Sequence, residues 1–137
     1  MVTKENKATK VQETPKQKFT MEDYNELSRK WAVTLLKDMF LGSKRFNDFL
    51  VKHENLSNRV LSDQLKRLEK HGYIKKEIIS ITPLRAEYVL TDLGRDLNRM
   101  LYEKAMFAIR HGLITREDPY FCGKNIEEAF GINQNEK

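Results

Sequence analysis

The side chains best suited to chemistry lie on one predicted helix, residues 57–70. At about 100° per residue, Leu61, Leu65 and Leu68 fall within a narrow arc of it, with Val60 at the margin. The opposite side carries Arg59, Ser62, Asp63, Lys66 and Lys70. Arginine can bind guanine bidentately and lysine can neutralise phosphate, so this face suits nucleic acid. An ordinary amphipathic surface helix has the same pattern, and the helix alone leaves both interpretations open.

Other reactive groups are sparse. Cys122 is the only cysteine, which excludes an intramolecular disulfide and a cysteine-rich zinc site. His53, His71 and His111 stand far apart and lack metal-ligand spacing. The sequence has no glycine-rich phosphate loop and no nucleophile–base arrangement. We therefore expect no catalytic residues, no metal and no cofactor, and a protein that is not an enzyme.

The excess positive charge sits in the middle of the chain. Residues 29–91 hold thirteen Lys and Arg against seven Asp and Glu, whereas residues 1–28 and 92–137 are nearly balanced. A basic segment favours a polyanionic partner, although a merely solvated lysine-rich surface would give the same count. No apolar run approaches roughly 18 residues, and the N-terminal residues lack a secretory signal. We expect a cytoplasmic protein with no membrane partner.

The elements before the polar helix are predicted from caps and periodicity. Residues 1–18 are polar and lysine-rich, which predicts a disordered basic tail. Thr20 is expected to cap the short helix "MEDYNELSR". The stretch "KWAVTLLKDMFL" is apolar nearly all round, which is typical of a central buried helix, and Gly42 ends it. Ser43 is expected to cap the next helix, "KRFNDFLVKH", and Ser57 to cap the polar helix.

Gly72 is well placed to end the polar helix, because glycine accepts the left-handed conformation there. "YIKKEII" and "RAEYVLT" then predict a two-stranded hairpin of residues 73–91, and "SITPL" between them is a loop too long for a tight turn. Candidates for its packed face are Ile74, Ile78, Tyr88 and Leu90. Its basic groups are Lys75, Lys76 and Arg85, and the direction of Lys76 is open.

Thr91 or Asp92 is expected to cap a long helix of residues 92–112 with apolar residues at helical spacing. One small domain cannot easily bury both faces of such a helix, so we expect a dimer interface, with packing inside one chain as the alternative. Residues 114–137 form a C-terminal extension with one short helix predicted near residues 126–130.

A buried helix, a short helix, a tight link, the polar helix and a basic hairpin form the order of a winged helix-turn-helix. The predicted fold is mainly α with a small β-hairpin (α+β), over residues 19–113, with flanking dimerisation helices. The polar helix would enter the major groove, its N-terminal part reaching bases, and the hairpin would grip the flanking backbone or minor groove. Expected DNA contacts are Arg45, Ser57, Asn58, Arg59, Ser62, Asp63, Lys66, Lys70, Lys75, Lys76 and Arg85. Arg59 and Asp63 could instead neutralise each other.

Three stretches, "KWAVTLLKDMFLGSKRFNDFL", "LSNRVLSDQLKRLEKHGYIKKE" and "TPLRAEYVLTDLGRDL", resemble the HxlR family of transcription regulators, winged-helix proteins related to the MarR group. The resemblance runs from about Lys30 to Leu101. It implies a homodimeric regulator of double-stranded DNA that dimerises through its first and last helices. The corresponding residues are Tyr24, Leu97, Met100, Leu101, Ala105 and Ala108.

The chain departs from the family pattern before Trp31, where some members carry a sensing cysteine and this chain has "LSRKW". A thiol switch of that kind is not expected, and Cys122 is expected to be inert. The expected function is sequence-specific binding to a pseudo-palindromic operator, and the alternative is a winged-helix module that binds an acidic protein. We also consider a small-molecule effector bound between the dimerisation helices and the DNA-binding core, although no residue identifies it.

Overall fold

The computed structural model describes residues 18–133, so the expected tail of residues 1–18 lies almost entirely outside the described residues. The elements in chain order are α1 (Met21–Asn25), a 3₁₀ turn (Glu26–Ser28), α2 (Ala32–Phe40), α3 (Phe46–Lys52), α4 (Asn58–Lys70), β1 (Ile74–Ile81), β2 (Leu84–Leu90), α5 (Asp92–Arg95), α6 (Asn98–Arg110), a second 3₁₀ turn (Pro119–Phe121) and α7 (Ile126–Ala129). The strands pair as an antiparallel hairpin, and the predicted mainly α fold with one small hairpin is confirmed.

The first helix begins where its cap was predicted. The Thr20 hydroxyl accepts a hydrogen bond from the Asp23 N–H at 3.2 Å, and the Asp23 carboxylate accepts one from the Thr20 N–H at 3.0 Å. This reciprocal pair satisfies two N–H groups that the helix leaves free. The expectation of a central helix at α2 is also confirmed, because Ala32, Leu35 and Leu36 are fully buried in the core.

The start of α3 differs from the prediction that Ser43 caps it. The helix begins at Phe46, and the Asp48 carboxylate accepts hydrogen bonds from the N–H groups of Lys44 and Arg45. Those bonds hold the pKa of Asp48 below its usual range. Ser43 lies too far from the helix to cap it, since two residues separate it from Phe46, and it is buried in the preceding loop.

The boundaries of α4 are confirmed. The Ser57 hydroxyl accepts from the Val60 N–H at 3.1 Å, and Gly72 takes a φ of +87° just after the helix. Leu61, Leu65 and Leu68 are buried, so the leucine arc packs into the core while the polar side faces solvent.

The two strands of the hairpin are longer than predicted, within the predicted residues 73–91. Its strands extend to Ile81 and Leu84, so only Thr82 and Pro83 connect them, and the prediction of a loop too long for a tight turn is wrong. Ser80 and the β-branched Ile81 of "SITPL" continue the first strand, and Leu84 begins the second. Ile78 is exposed and not packed, because the outer half of the hairpin extends beyond the core.

The base of the hairpin is closed by hydrogen bonds. The Thr91 hydroxyl donates to the carbonyl of Gly72 at 2.6 Å, and the Thr91 N–H donates to the carbonyl of Tyr73 at 3.1 Å. Gly94 packs directly on that carbonyl, since a Cβ at this position would lie 2.2 Å from the Tyr73 oxygen. Both ends of the hairpin are therefore held at one place.

The single helix predicted for residues 92–112 is divided into α5 and α6. Thr91 caps α5 by accepting from the Gly94 N–H at 3.1 Å. Asp96 and Leu97 then form a tighter turn, in which the Leu97 N–H donates to the carbonyl three residues back. The packing of Gly94 on Tyr73 fixes α5, whereas α6 packs against α2.

The C-terminal extension belongs to the same core as the rest of the chain. Phe121, Ile126 and Phe130 are buried, and the predicted short helix is confirmed as α7. The extension also covers the ammonium group of Lys37, which lies 3.8 Å from the centroid of the Tyr120 ring and 2.6 Å from the carboxylate of Asp38. Burial lowers the pKa of Lys37, although Asp38 opposes that change.

Glu127 attaches α7 to the rest of the fold. Its carboxylate accepts hydrogen bonds from Arg116 at 3.0 and 2.8 Å and from the Tyr102 hydroxyl at 2.8 Å. The bonds from Arg116, with a smaller contribution from Tyr102, outweigh the effect of burial and lower the pKa of Glu127 to about 2. The ionised carboxylate is the form that holds the extension.

We predict that Glu127→Gln lowers the free energy of unfolding by about 1–2 kcal/mol at pH 7. The folded-state pKa lies below the ordinary 4.5, so this stabilisation is present above about pH 4.5 and is lost as the pH falls toward 2. Urea unfolding at pH 7, 5 and 3 should show the difference from the wild type shrinking with acidification. Glu128→Gln, on the same helix but exposed, is the control, and a difference that stayed constant with pH would contradict the assignment.

Candidate nucleic-acid interface

The solvent face of α4 presents the polar side chains that the sequence singled out. Arg59, Asp63, Lys66 and Lys70 are exposed, and Ser62 is half-buried beside them. Ser57 and Asn58 are exposed at the N-terminal end of the helix. Because the leucine arc is fully used in the core, this face has no packing role.

Arg59 is not neutralised by its neighbour. Within residues 18–133, no salt bridge joins Arg59 to Asp63, although their spacing of four residues on a helix would allow one. Arg59 and Asp63 are therefore not paired with each other in the free protein, and both residues lie on the exposed face of the helix.

Glu26, in the 3₁₀ turn after α1, fixes the back of α4. Its buried carboxylate accepts hydrogen bonds from Gln64 at 2.9 Å and from Arg67 at 2.9 and 3.1 Å. Burial opposes ionisation of Glu26, but the bonds from Arg67 and Gln64 outweigh it and hold its pKa below the usual range. Two polar residues of α4 thus serve the fold and are turned away from the exposed face.

Asp23 holds the C-terminal end of α4 in the same way. Its carboxylate lies 2.7 Å from Nδ1 of His71, and its carbonyl oxygen accepts a hydrogen bond from the hydroxyl of Tyr73. Nε2 of His71 also lies 3.6 Å from the Glu26 carboxylate. Burial, with the two carboxylates adding to it, raises the pKa of Tyr73 to about 12.

We call Asp23, Glu26, Gln64, Arg67 and His71 the carboxylate cluster. The cluster was not predicted from the sequence, since 38 to 48 residues separate the partners in each direct bond. The available signal was two acids at a spacing of three on a short helix, and that pattern is common on exposed surfaces. Only the folded chain places them against α4.

Arg45 joins α3 to the hairpin. Its guanidinium lies 3.5 Å from the carboxylate of Glu87 on β2, and the ammonium of Lys44 lies 3.9 Å from the same group. The Tyr88 N–H donates to the Lys44 carbonyl at 2.7 Å, so β2 is bonded to the loop before α3. Arg45 and Lys44 remain about half exposed, which leaves them room to contact a further anion.

The hairpin carries basic side chains along its length and aliphatic side chains at its tip. Lys75 is 3.6 Å from Glu77, Lys76 lies over the ring of Tyr88 at 5.9 Å, and Arg85 is exposed near the turn. Lys76 therefore lies on the Tyr88 face of the hairpin. At the tip, Ile81 is 80% exposed and Leu84 is 71% exposed. An exposed aliphatic tip was not predicted from the sequence.

The residues expected at a dimer interface fall into two groups. Leu101 and Ala105 are buried in the core of their own protomer, because α6 turns that side toward α2. Tyr24, Met100 and, half-buried, Leu97 and Ala108 remain at the surface. Phe107, seven residues after Met100 and on the same side of α6, is 57% exposed and was not singled out from the sequence. The exposed group is the part that a partner can reach.

In the part of the chain that the structure describes, no group of three or more His, Cys, Asp and Glu side chains is arranged to hold a metal ion. Cys122 is exposed in the extension. Between Lys18 and Asn133, none of the helices has the length and apolar character needed to cross a membrane.

Known proteins resemble this chain in sequence. A family model described as HxlR-like helix-turn-helix matches residues 26–114. The uncharacterized HTH-type transcriptional regulator YvaP of Bacillus subtilis (strain 168) is 42% identical over 82 residues, which are 60% of this chain and 76% of that protein. YdeP, an uncharacterized HTH-type regulator of the same organism, is 38% identical over 72 residues, covering 53% of this chain and 56% of YdeP.

A solved structure described as the redox regulator HypR in its reduced form superposes with a TM-score of 0.60 at 28% identity. The match covers 66% of this chain and 90% of that chain. The C-terminal extension lies beyond the residues that the family model matches. The similarity is therefore concentrated in the helices and hairpin that form the candidate interface.

We predict that Arg67→Ala destabilises the protein, whereas Lys66→Ala, next to it on the exposed face, does not. The first change leaves the buried Glu26 carboxylate short of donors, which typically costs about 1–3 kcal/mol. Thermal unfolding followed by circular dichroism would measure both variants. Adding Glu26→Gln to Arg67→Ala should restore part of the loss, and equal melting temperatures for all of these proteins would contradict the role of the cluster.

Proposed function

The chain belongs to the HxlR-like helix-turn-helix family of transcriptional regulators, and we propose that it binds a specific double-stranded DNA operator as a homodimer. The observation that carries the proposal is the exposed face of α4. It has Arg59 without an intramolecular salt bridge among the described residues, and its apolar side is held in the core. A helix presented in this way, after α2 and α3 and before a hairpin, is the element that reads bases in helix-turn-helix proteins.

The proposed reading of DNA divides the exposed residues by their place on α4. Asn58, Arg59, Ser62 and Asp63 lie in its first half and are the candidates for base contacts. Lys66 and Lys70 lie further along and are assigned to phosphates. Major-groove edges carry a distinct donor and acceptor pattern for each base pair, so the first group would set specificity. The second group would supply affinity that depends on salt.

The hairpin and the residues before α3 would grip the DNA beside the groove. Lys75, Lys76 and Arg85 are assigned to the flanking backbone or minor groove, and Arg45 to the backbone near α3. Ile81 and Leu84 at the tip fit a minor groove as well, since minor-groove proteins often insert aliphatic side chains there. The same exposed apolar tip supports the second candidate function, a winged-helix module that binds another protein.

A homodimer would place two α4 helices on one face of the duplex. Successive major grooves are about 34–36 Å apart, which sets the spacing of the two half-sites of a pseudo-palindrome. Met100 and Phe107 on α6 and Tyr24 on α1 are exposed apolar side chains that a second copy could cover. Occupancy of the operator would then act on transcription by blocking or recruiting polymerase.

We expect Arg59→Ala to weaken binding to the operator by about ten- to a hundredfold and to relax its sequence preference, because a bidentate base contact is lost. Lys75→Ala should weaken binding to all sequences alike. It should also reduce the slope of log affinity against log salt concentration by the amount expected for about one phosphate contact. Fluorescence anisotropy on fragments selected from random DNA, at several salt concentrations, measures both effects.

Two outcomes of that experiment would count against the proposal. Equal losses on all sequences for both variants would move Arg59 to a phosphate contact. No selection of DNA at all, together with the absence of a gel shift on a fragment from around its own gene, would favour the protein-binding module.

The dimer is tested by introducing negative charges on the exposed apolar surface of α6. Met100→Glu combined with Phe107→Glu should convert the protein to monomers, because two buried acids would face their symmetry mates across the interface. Val51→Glu is the control, since Val51 is 73% exposed and belongs to α3 rather than to α1 or α6. Analytical ultracentrifugation gives the mass, and a wild type that sediments as a monomer at micromolar concentration would overturn the proposed dimer.

A further inference from the structure

A cavity of about 530 Å³ lies where the base of the hairpin meets α2, α6 and the C-terminal extension. Its walls come from the end of α2, from residues 88–90 of β2, from the region joining α5 to α6, and from residues 128–131. Sites for small molecules usually enclose roughly 300–1,000 Å³ and bring several elements together in this way. The cavity is distinct from the exposed face of α4.

One side of the cavity is apolar. The rings of Phe40 and Phe130 lie together at 5.3 Å between centroids, and Met39 and Leu90 continue the surface. Phe130 is buried and belongs to the core, so this wall is rigid. It suits the body of an aromatic or branched aliphatic molecule.

The other side carries two cations that are only weakly engaged. Arg95 is 3.9 Å from Asp92 and its side chain is 62% exposed, and Lys44 is 3.9 Å from Glu87 with 57% exposed. Pairs at such distances on the surface contribute little. Glu128 is the one carboxylate residue among those that line the cavity, which leaves the lining with a positive balance. An anion would find two cations able to turn toward it.

Ser43 adds a second, independent observation. It lines the cavity and is only 4% exposed, and its hydroxyl has no hydrogen-bond partner within residues 18–133. A buried hydroxyl without a partner is costly and points to a polar group that the free chain does not supply. A bound ligand with an acceptor would provide that group.

We propose that this cavity binds a small organic anion, namely a carboxylate with an aromatic or branched aliphatic body, and that its occupant adjusts the hairpin. The carboxylate of the ligand lies against Arg95 and Lys44 and accepts a hydrogen bond from the Ser43 hydroxyl. The apolar body of the ligand packs on the rings of Phe40 and Phe130. The wall formed by residues 128–131 lies outside the segment that the family model matches, so this chain's own extension completes the site.

The route from the cavity to the hairpin is short. Tyr88 and Leu90 line the cavity and also belong to β2, and the Tyr88 N–H is bonded to the carbonyl of Lys44. A ligand that moves Lys44 or Arg95 therefore changes the contacts of the strand whose outer end carries Arg85. This regulatory part rests on the proposed DNA-binding function, whereas the binding part does not.

The binding part is tested without DNA, with 2-naphthoate as the probe and neutral 2-naphthamide as its isostere. Isothermal titration should show the naphthoate bound about tenfold more tightly, because charge-assisted hydrogen bonds distinguish the two. Arg95→Gln should abolish that preference. Ser43→Ala should weaken naphthoate binding without lowering the melting temperature, since it removes a hydroxyl that has no partner. Lys104→Gln, an exposed change on α6 that does not line the cavity, should leave binding unchanged.

Absence of naphthoate binding, equal affinities for the two probes, or an unchanged preference in Arg95→Gln would each overturn the site. For the regulatory part, 2-naphthoate should change the affinity of the wild type for its selected DNA at least threefold and that of Arg95→Gln not at all. If the protein preferred 2-naphthoate to 2-naphthamide but its affinity for DNA did not change, the regulatory part would be overturned and the binding site would stand. Loss of DNA binding under all conditions would instead refute the proposed function, and the titration would still stand.

Discussion

Two buried carboxylates, Asp23 and Glu26, constrain the rest of this structure. A carboxylate removed from water must find donors. Thr20 supplies some of them to Asp23, and Gln64, Arg67 and His71 supply the others from α4 and the residue just after it. The requirement locks the N-terminal helix against the back of α4 in one orientation. Because Gln64 and Arg67 are used in this way, the opposite side of the helix is held outward with its own polar groups available. The electrostatics of the interior thus determine which side chains the surface presents.

The core divides the molecule into a fixed base and a projecting part. Leucines of α4, the centre of α2 and three large residues of the extension pack into one cluster. The base of the hairpin joins that cluster through Tyr73 and Ile74, with Tyr88 and Leu90 packed against it, and the outer half of the hairpin leaves the core. Since the polar face of α4 and the base of the hairpin both sit on this common core, their relative position is set by packing rather than by the hairpin itself. This arrangement suits a protein that must present two contact surfaces at a defined separation.

The sequence predicted what local periodicity and caps determine. The arc of Leu61, Leu65 and Leu68, the caps at Thr20 and Ser57 and the end at Gly72 all appear in the structure, because each depends on residues within one or two turns. The division of the last helix was missed because it depends on Gly94 meeting a carbonyl some twenty residues earlier. The pairing of Glu26 with Arg67 was out of reach for the same reason. The prediction of the hairpin turn was wrong for a different reason, since the stretch beside the proline was taken for a loop although part of it continues the strands. The contacts proposed for Arg59 and its neighbours concern a partner, and they remain predictions.

The closure of the hairpin at Thr91 and Gly94 has a geometric consequence. Both strands start from the hydrogen-bonded base of the hairpin. The tip lies roughly 23 Å from that base, because seven residues of a strand rise about 3.3 Å each. A tilt of roughly five degrees at the base would sweep Ile81 and Leu84 through about 2 Å. That is the scale on which a van der Waals contact is made or broken. A small change in packing around Tyr73 therefore produces a larger displacement at the tip of the hairpin.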